Sequence, residues 1–228
     1  MSDSGWQAGG PADAQGGNPP GSAMTAPGTT ALRSDGAYPV TCALDSPLEM
    51  ANLQPFISYL LAIPHVLLLG LYGIVAFVNA IIVWFSIVMS GTPSESARNN
   101  IAGFQRYWYR VLVFQYFMTA QYPEFKPVPG YADPGGFPAR IDITPATSYD
   151  RTQVILRFLY IIPLYLYGIY VAIMVWIGLL IGLISVLTGG KWNPQWRRTV
   201  FNAMTWIMQV NCWFFLLVDE YPGFTFQA

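Results

Sequence analysis

The chain has 228 residues, of which 54% are hydrophobic and only 10% are charged. Soluble domains carry about 25% charged residues, so this composition indicates a membrane protein. The net charge of -1 offers no basic surface for nucleic acid, and two unclustered cysteines with one histidine cannot form a standard zinc site. We therefore expect no nucleic-acid partner, no metal and no cofactor.

Residues 1–37 form a segment rich in Gly, Pro, Ala and Ser, with Trp6 as its single aromatic residue. Such a segment buries too little apolar surface to offset the entropy of ordering it, which predicts a disordered tail. It lacks the basic start and the apolar centre of a signal peptide, so we expect it to remain on the mature protein.

Residues 38–125 reappear as residues 137–224 at a constant offset of 99 positions, without a gap. Identical residues at equivalent positions include Ile63-Pro64 and Ile162-Pro163, Ser86 and Ser185, Gly91 and Gly190, and Arg98 and Arg197. A fixed period indicates one structural unit built twice. We therefore divide the chain into the tail at 1–37, a first membrane repeat at 38–125 and a second membrane repeat at 137–226.

Each repeat opens with a short segment, at residues 38–43 and 139–144, and the second of these alternates polar with apolar side chains. A period of two predicts half-exposed strands, which we expect to pair into a small ribbon at the membrane surface. The segment before Pro163 has its polar residues on one helical face. This pattern predicts either an amphipathic helix at the membrane interface or the water-exposed end of a spanning helix. Pro64 and Pro163 are expected to kink or break the helix where it enters the bilayer.

Long apolar runs follow at residues 65–90 and 164–190, with His65 as their single acidic or basic residue. Each run exceeds the ~20 residues that cross a hydrocarbon core of ~30 Å. After a Gly/Pro turn, residues 101–120 and 199–218 are predicted to return as second helices. The predicted fold is an all-α integral membrane protein with four transmembrane helices in two tandem hairpins. Because each repeat has an even number of spans, the repeats are expected to be parallel.

Several short motifs stand in order along the repeats: Ala62-Ile63-Pro64-His65, a polar turn, arginine-rich and tryptophan-containing helix starts, and Asp219-Glu220-Tyr221-Pro222-Gly223-Phe224. Over about residues 38–226 the chain resembles a bacterial family of small membrane proteins of unknown function. That family is frequent in actinobacteria, and its hairpin unit occurs singly or in tandem. The resemblance implies a multi-pass protein of the bacterial cytoplasmic membrane without an established activity. Leu164 departs from the motif, since it stands where the first repeat has His65.

Five arginines at the hairpin tips and helix starts are candidate lipid-headgroup contacts: Arg98, Arg106, Arg110, Arg197 and Arg198. Aromatic residues flank them, so the alternative is that they snorkel within an aromatic interface belt. His65 is expected to form a local hydrogen bond at the membrane boundary, with a ligand role as its alternative.

Gly178, Gly182 and Ser185 form a stripe of small residues that permits close helix contact. The equivalents of the two glycines, Asn79 and Val83, are larger, as expected if one repeat contacts a partner and the other does not. Amide side chains also lie in or near the predicted spans and either join helices or line a pathway: Asn79, Gln115, Asn202, Gln209 and Asn211.

The sequence contains no recognisable acid–base, nucleophile or metal set, so we expect a protein that is not an enzyme. Our first hypothesis is an accessory or scaffold subunit of a larger membrane complex, with lipids and other membrane protein subunits as partners. The alternative is a carrier or channel for a lipid or small molecule, which would need a continuous polar path near Asn79, Asn202 and Asn211.

Overall fold

The computed structural model describes residues 29–224. Its elements, in chain order, are β1 (Thr29–Arg33), β2 (Val40–Pro47), α1 (Gln54–Ser90), α2 (Glu95–Gln115), β3 (Ala139–Ile143), α3 (Arg151–Gly189) and α4 (Pro194–Phe214). The tandem helix pairs α1/α2 and α3/α4 confirm the predicted duplication. Most of the predicted disordered tail lies outside the described residues, but its last part forms β1, which pairs with β2.

The two long helices continue through their prolines. α1 has 37 residues and includes Pro64, and α3 has 39 residues and includes Pro163. Of the predicted kink or break at these prolines, the break is absent, and the segments before them are the first turns of the long helices. Each helix ends at a glycine in the left-handed conformation, Gly91 with φ of 79° and Gly190 with φ of 65°.

The two long helices run antiparallel to each other. At one end, the backbone N–H of Met50, just before α1, donates to the carbonyl of Gly190, just after α3, at 2.7 Å. At the other end, a Cβ on Gly91 would lie 2.9 Å from the guanidinium of Arg151. If both long helices crossed a membrane, they would therefore cross in opposite directions and not in the predicted parallel one, because the start of each meets the end of the other.

The sheet relates the two repeats in the same antiparallel way as the long helices do. Strand β2 lies in the middle of the order β1-β2-β3, and both pairings are antiparallel. In the β2–β3 pair, Cys42 lies opposite Ile141, which is its own equivalent in the second repeat. An antiparallel register centred on equivalent residues places a local twofold axis through that pair, perpendicular to the sheet. The predicted ribbon between the two repeats is thus present, with β1 added at its edge.

The shorter helices α2 and α4 form the interior of the molecule. They contact the sheet on one side, and each also packs against its own long helix, α1 or α3. Within the described residues, only α1 and α3 are long and apolar enough to cross a membrane. The prediction of four spans fails at α2 and α4 because these helices carry arginines and pack inside the protein.

Candidate functional site

Arg98 and its equivalent Arg197 each reach into the other repeat. Arg197, in the first turn of α4, donates a hydrogen bond from Nη2 to the carbonyl of Ser46 at 3.0 Å. Arg98, in the first turn of α2, donates to the carbonyl of Ala146 at 2.7 Å and to the hydroxyl of Tyr149 at 3.1 Å. Both arginines are buried. The pair therefore joins the two repeats from inside.

The surroundings of these two guanidinium groups differ. Arg98 forms an ion pair with Glu95 one turn earlier on α2. Arg197 forms no ion pair with any residue among 29–224 and is bonded to neutral oxygens instead. Burial lowers the pKa of Arg197 to about 10, which leaves this guanidinium charged at neutral pH.

Asp133 is the acceptor for a second buried arginine cluster. Its carboxylate lies 3.3 Å from Nε of Arg106 and 2.8 Å from Nη2 of Arg110, and its side chain is 1% exposed. Arg106 also donates to the carbonyls of Gly130 and Ala132, both at 2.9 Å. The cluster therefore holds the linker between the repeats against α2. The sequence equivalents of the two arginines are uncharged, so this cluster belongs to the first repeat alone.

The prediction of lipid-headgroup contacts is wrong for four of the five arginines. Arg98, Arg106, Arg110 and Arg197 are buried and bonded within the protein, because the helices that carry them are interior helices. Arg198 is exposed, and a headgroup contact at this residue stays a prediction.

Arg198 lines a polar groove of about 600 Å³ between α4 and the start of the sheet. Charged side chains of both signs line it: Arg33, Asp35, Arg198 and Glu220. Tyr38 closes one side, where its hydroxyl donates to the carbonyl of Glu220 at 2.6 Å. Burial, the largest effect, raises the pKa of Tyr38 far above its ordinary value, so this hydroxyl stays protonated.

The stripe of small residues on α3 is filled from within the same repeat. A Cβ on Gly178 would lie 2.5 Å from Val200 of α4, and one on Gly182 would overlap the ring of Trp192. Ser185 donates to the carbonyl of Lys191 at 2.8 Å. The stripe is therefore a helix-packing surface within one hairpin. Val200 and Trp192 occupy the space that a partner helix would need.

His65 lies in a buried aromatic cluster between α1 and α2. Its Nδ1 is 2.7 Å from the hydroxyl of Tyr107, and its ring stacks on Phe125 with centroids 4.2 Å apart. His65 is thus hydrogen-bonded, but to a side chain of α2 that lies 42 positions along the chain and not to a local group. The second repeat replaces His65 by Leu164 and Tyr107 by Trp206. No group of three or more His, Cys, Asp and Glu residues in the described part of the chain could hold a metal ion.

The three amides of the carrier hypothesis lie apart. Asn79 donates to the carbonyl of Val75 in its own helix at 2.8 Å, and Asn211 donates likewise to the carbonyl of Ile207 at 2.8 Å. Asn202 lines the polar groove instead. Asn211 lines a separate, largely apolar pocket between α1, α2 and α4. Neither pocket contains all three amides, so they do not mark one continuous path.

Each repeat also supports its proline-containing helix with a tyrosine. A proline has no N–H to donate, so the carbonyls of the preceding turn lose part of their bonding. The hydroxyl of Tyr122 donates to the carbonyl of Leu61, and that of Tyr221 donates to the carbonyl of Tyr160, both at 3.3 Å. In each repeat, the acceptor lies three residues before the proline. This contact links the two motifs that both repeats share.

The long helices expose apolar side chains along nearly their whole length. We call these side chains, at residues 53–89 on α1 and 155–187 on α3, the apolar face. Among the most exposed are Leu67 at 69% and Met89 at 78%. Buried residues of α1 fall on one stripe, which packs against α2: Ser58, Ala62, His65, Ala76, Val83 and Ile87. Exposed apolar surface of this extent marks an interaction surface.

The sheet exposes charges on the other side of the molecule. We call the outward-facing residues Thr41, Asp45, Arg140 and Asp142, with Arg33 of β1, the sheet face. Asp45 lies at its centre and forms ion pairs with Arg33 and Arg140. The inward residues of the same strands are buried against α2 and α4. The molecule is therefore apolar on one side and charged on the opposite side.

A domain of unknown function, DUF4389, matches the chain twice, over residues 52–126 and 151–225. The chain belongs to the DUF4389 family. No curated protein and no solved structure matches it.

The DUF4389 segments contain the two helix hairpins and their tyrosine contacts. The three strands found among residues 29–224 lie outside both segments, as does the linker that carries Asp133. The repeated DUF4389 unit is thus the hairpin. The sheet and the arginine–Asp133 cluster are what this chain builds around two copies of it.

Proposed function

We propose that this DUF4389 protein is a non-catalytic accessory or scaffold subunit of a larger complex in the bacterial cytoplasmic membrane. The observation that carries the proposal is the division of the surface into an apolar face and a charged sheet face. The most apolar windows of α1 and α3 have a mean hydropathy of 2.6, and only 11% and 33% of these windows are buried in the protein. Surfaces of this kind are stable in lipid and not in water.

The buried charged groups support a structural role. Arg98 and Arg197 join the repeats, and Asp133 orders the linker, so these groups serve the fold. The stripe at Gly178 and Gly182, by contrast, no longer supports a partner, because Val200 and Trp192 fill it.

The polar groove beside the sheet is the surface best suited to another subunit. It is concave, carries both signs of charge and includes the exposed Arg198. Opposite charges facing each other across an interface set specificity and register more than affinity. A partner with a complementary pattern of charges fits this groove.

Affinity isolation of the full chain in mild detergent tests the proposal. We expect a partner protein in fixed stoichiometry with the native chain, and its loss in Arg198→Glu. Lys126→Glu is the matched control, because it changes the net charge equally at a side chain that is 69% exposed and away from the groove. If the native chain, Arg198→Glu and Lys126→Glu were each isolated as a monodisperse monomer without any partner, the scaffold proposal would be overturned. Retention of the partner by Arg198→Glu would exclude the groove as its site.

A lipid carrier is the second candidate, and one observation favours it. An apolar pocket of about 280 Å³ lies between the repeats, lined by Phe77 and Trp84 of α1 and by Phe158 of α3 among others. Such a pocket would hold part of an acyl chain. Native mass spectrometry distinguishes the candidates. A carrier retains one lipid that Phe158→Trp displaces, whereas Phe56→Trp, on the exposed start of α1, leaves binding unchanged.

A further inference from the structure

We infer that α1 and α3 lie side by side along the plane of the membrane within one leaflet, with the sheet in water, and do not cross the bilayer. The inference rests on the proposed membrane location and specifies how the protein sits there. Four observations support it: the length of the apolar face, the level of the sheet, the position of tyrosines on α3, and the twofold symmetry.

The apolar face is too long for a crossing. It extends from Leu53, the residue before α1, to Met89 near its end, about 54 Å at 1.5 Å per residue. Transmembrane helices tilt by at most about 40°, which would still leave roughly 41 Å along the membrane normal. The hydrocarbon core is ~30 Å thick, so a crossing would place exposed leucine and methionine side chains in the polar headgroup layers at one or both ends.

The sheet lies level with the middle of the long helices. On the first repeat, the hydroxyl of Tyr109 lies 3.5 Å from the carbonyl of Ala43 in β2, and the nearby ring of Tyr107 contacts Tyr72, the midpoint of α1. If α1 crossed the bilayer, the sheet would lie near its midplane. The charges of Asp45 and Arg140 would then face hydrocarbon, where polar groups are costly.

In the second repeat, too, the sheet lies level with the middle of the long helix, here α3. Nε2 of Gln209 donates to the carbonyl of Val40 in β2 at 3.3 Å. One turn earlier on α4, Trp206 contacts Tyr167, close to the midpoint of α3. The strand that carries Asp45 is therefore central to both long helices.

Exposed tyrosines occupy the middle of α3. Tyr165 is 71% exposed and Tyr170 is 42% exposed, and both lie within two turns of the helix midpoint. Tyrosine favours the membrane–water interface, where its ring is in an apolar layer and its hydroxyl is in a wet one. A crossing helix would bring both hydroxyls near the bilayer centre. A helix along the surface keeps them at the interface.

Symmetry and thickness agree with this placement. The local twofold axis through Cys42 and Ile141 is perpendicular to the sheet, so it becomes parallel to the membrane normal. Both repeats then lie at the same depth. A helix with its side chains is about 10–12 Å thick, which fits within one leaflet of ~15 Å of hydrocarbon.

Depth measurement by spin labelling tests the inference in the full chain reconstituted in phosphatidylglycerol-containing liposomes. The two native cysteines, Cys42 and Cys212, are buried and are replaced by alanine in the background variant. Labels are placed on one side of α1 by Leu60→Cys, Leu71→Cys and Met89→Cys, which are spaced by whole helical turns. Asp142→Cys on the sheet face is the matched aqueous control. Thermal unfolding of each variant checks that it is folded.

We expect equal depths for all three α1 labels, about 5–10 Å below the headgroup boundary, and free access of a nickel chelate to the label at residue 142. A central label about 15 Å deeper than both end labels would overturn the inference and leave the scaffold proposal intact. Failure of the native chain to float with liposomes would instead overturn the membrane location itself.

Discussion

At the scale of single residues, Asp133 decides where two arginines lie. A buried guanidinium is costly unless an anion and further hydrogen bonds compensate for its lost hydration. Asp133 supplies the anion for Arg106 and Arg110, and linker carbonyls supply the remaining acceptors. From the sequence, arginines flanked by aromatic residues are typical of an interface belt. Asp133, the acid that compensates their charge, lies more than twenty positions away in an irregular linker.

We expect Asp133→Asn to destabilise the protein by about 3–5 kcal/mol, because it leaves two buried guanidinium groups without a counter-charge. Chemical denaturation in detergent measures the change. Glu124→Gln is the control, since Glu124 is exposed and its contact with Lys126 at 3.9 Å is weak. Equal stability of the two variants would show that the cluster does not hold the linker.

The ion pairs of the sheet face predict a pH dependence. Burial alone would raise the pKa of Asp45, but the hydrogen bond and charge of Arg33, together with Arg140, hold it below its ordinary value of 3.8. A carboxylate with a lowered pKa stabilises the fold above its unfolded pKa and loses that contribution as the pH falls through its folded pKa. Asp45→Asn should therefore lower the unfolding temperature at neutral pH, and the difference should shrink as the pH falls below the ordinary pKa of 3.8. A difference that is constant with pH would refute the assignment.

At the scale of the elements, each long helix tolerates an internal proline because a tyrosine from the end of its hairpin bonds to the turn before it. We expect Tyr122→Phe and Tyr221→Phe to lower the free energy of unfolding by similar amounts, about 0.5–1.5 kcal/mol each. Thermal unfolding measures the effect, and Tyr165→Phe, at a side chain that is 71% exposed, is the neutral control. Unequal losses would mean that the two hairpins use this contact differently.

The packing of α3 on α4 depends on Gly182, whose place in the first repeat is taken by Val83. Gly182→Val should lower the free energy of unfolding by roughly 1–3 kcal/mol, because the valine side chain would overlap Trp192. Trp192→Ala removes the overlap, so the double variant should lose less than the sum of the two single variants. Simple additivity in this cycle would contradict the proposed contact.

At the scale of the whole molecule, the two repeats form one folding unit. They share a sheet across their twofold axis, and Arg98 and Arg197 each bond to the opposite repeat. Alone, the first repeat lacks the Ala146 acceptor of Arg98, and the second repeat lacks the Ser46 acceptor of Arg197. This interdependence follows from the antiparallel arrangement, which brings the start of each hairpin to the far end of the other.

We therefore expect fragments 1–126 and 127–228 to be recovered as a complex when they are co-expressed, and neither to be recovered folded when it is expressed alone. Co-purification through a tag on one fragment, followed by limited proteolysis, measures the outcome. The intact chain serves as the protected reference. Two separately stable, protease-resistant halves would show that the repeats are independent domains.

The local features of the fold follow from the sequence. The duplication, the two long apolar helices and the strand at the start of each repeat were predicted, because a repeat period and runs of hydropathy are properties of neighbouring residues. The number of spans and the parallel arrangement were predicted wrongly, since both depended on reading α2 and α4 as lipid-facing helices. Their apolar side chains face the sheet and the long helices instead.

What the sequence determined by itself is the composition of each surface: apolar along α1 and α3, charged at Asp45, Arg140 and Asp142. The burial of the arginines, the antiparallel direction of the long helices and the placement of the two surfaces on opposite sides depend on the folded chain. The reason is distance along the chain. Arg197 finds its acceptor at Ser46, 151 positions earlier, and such a contact exists only once the whole chain has folded.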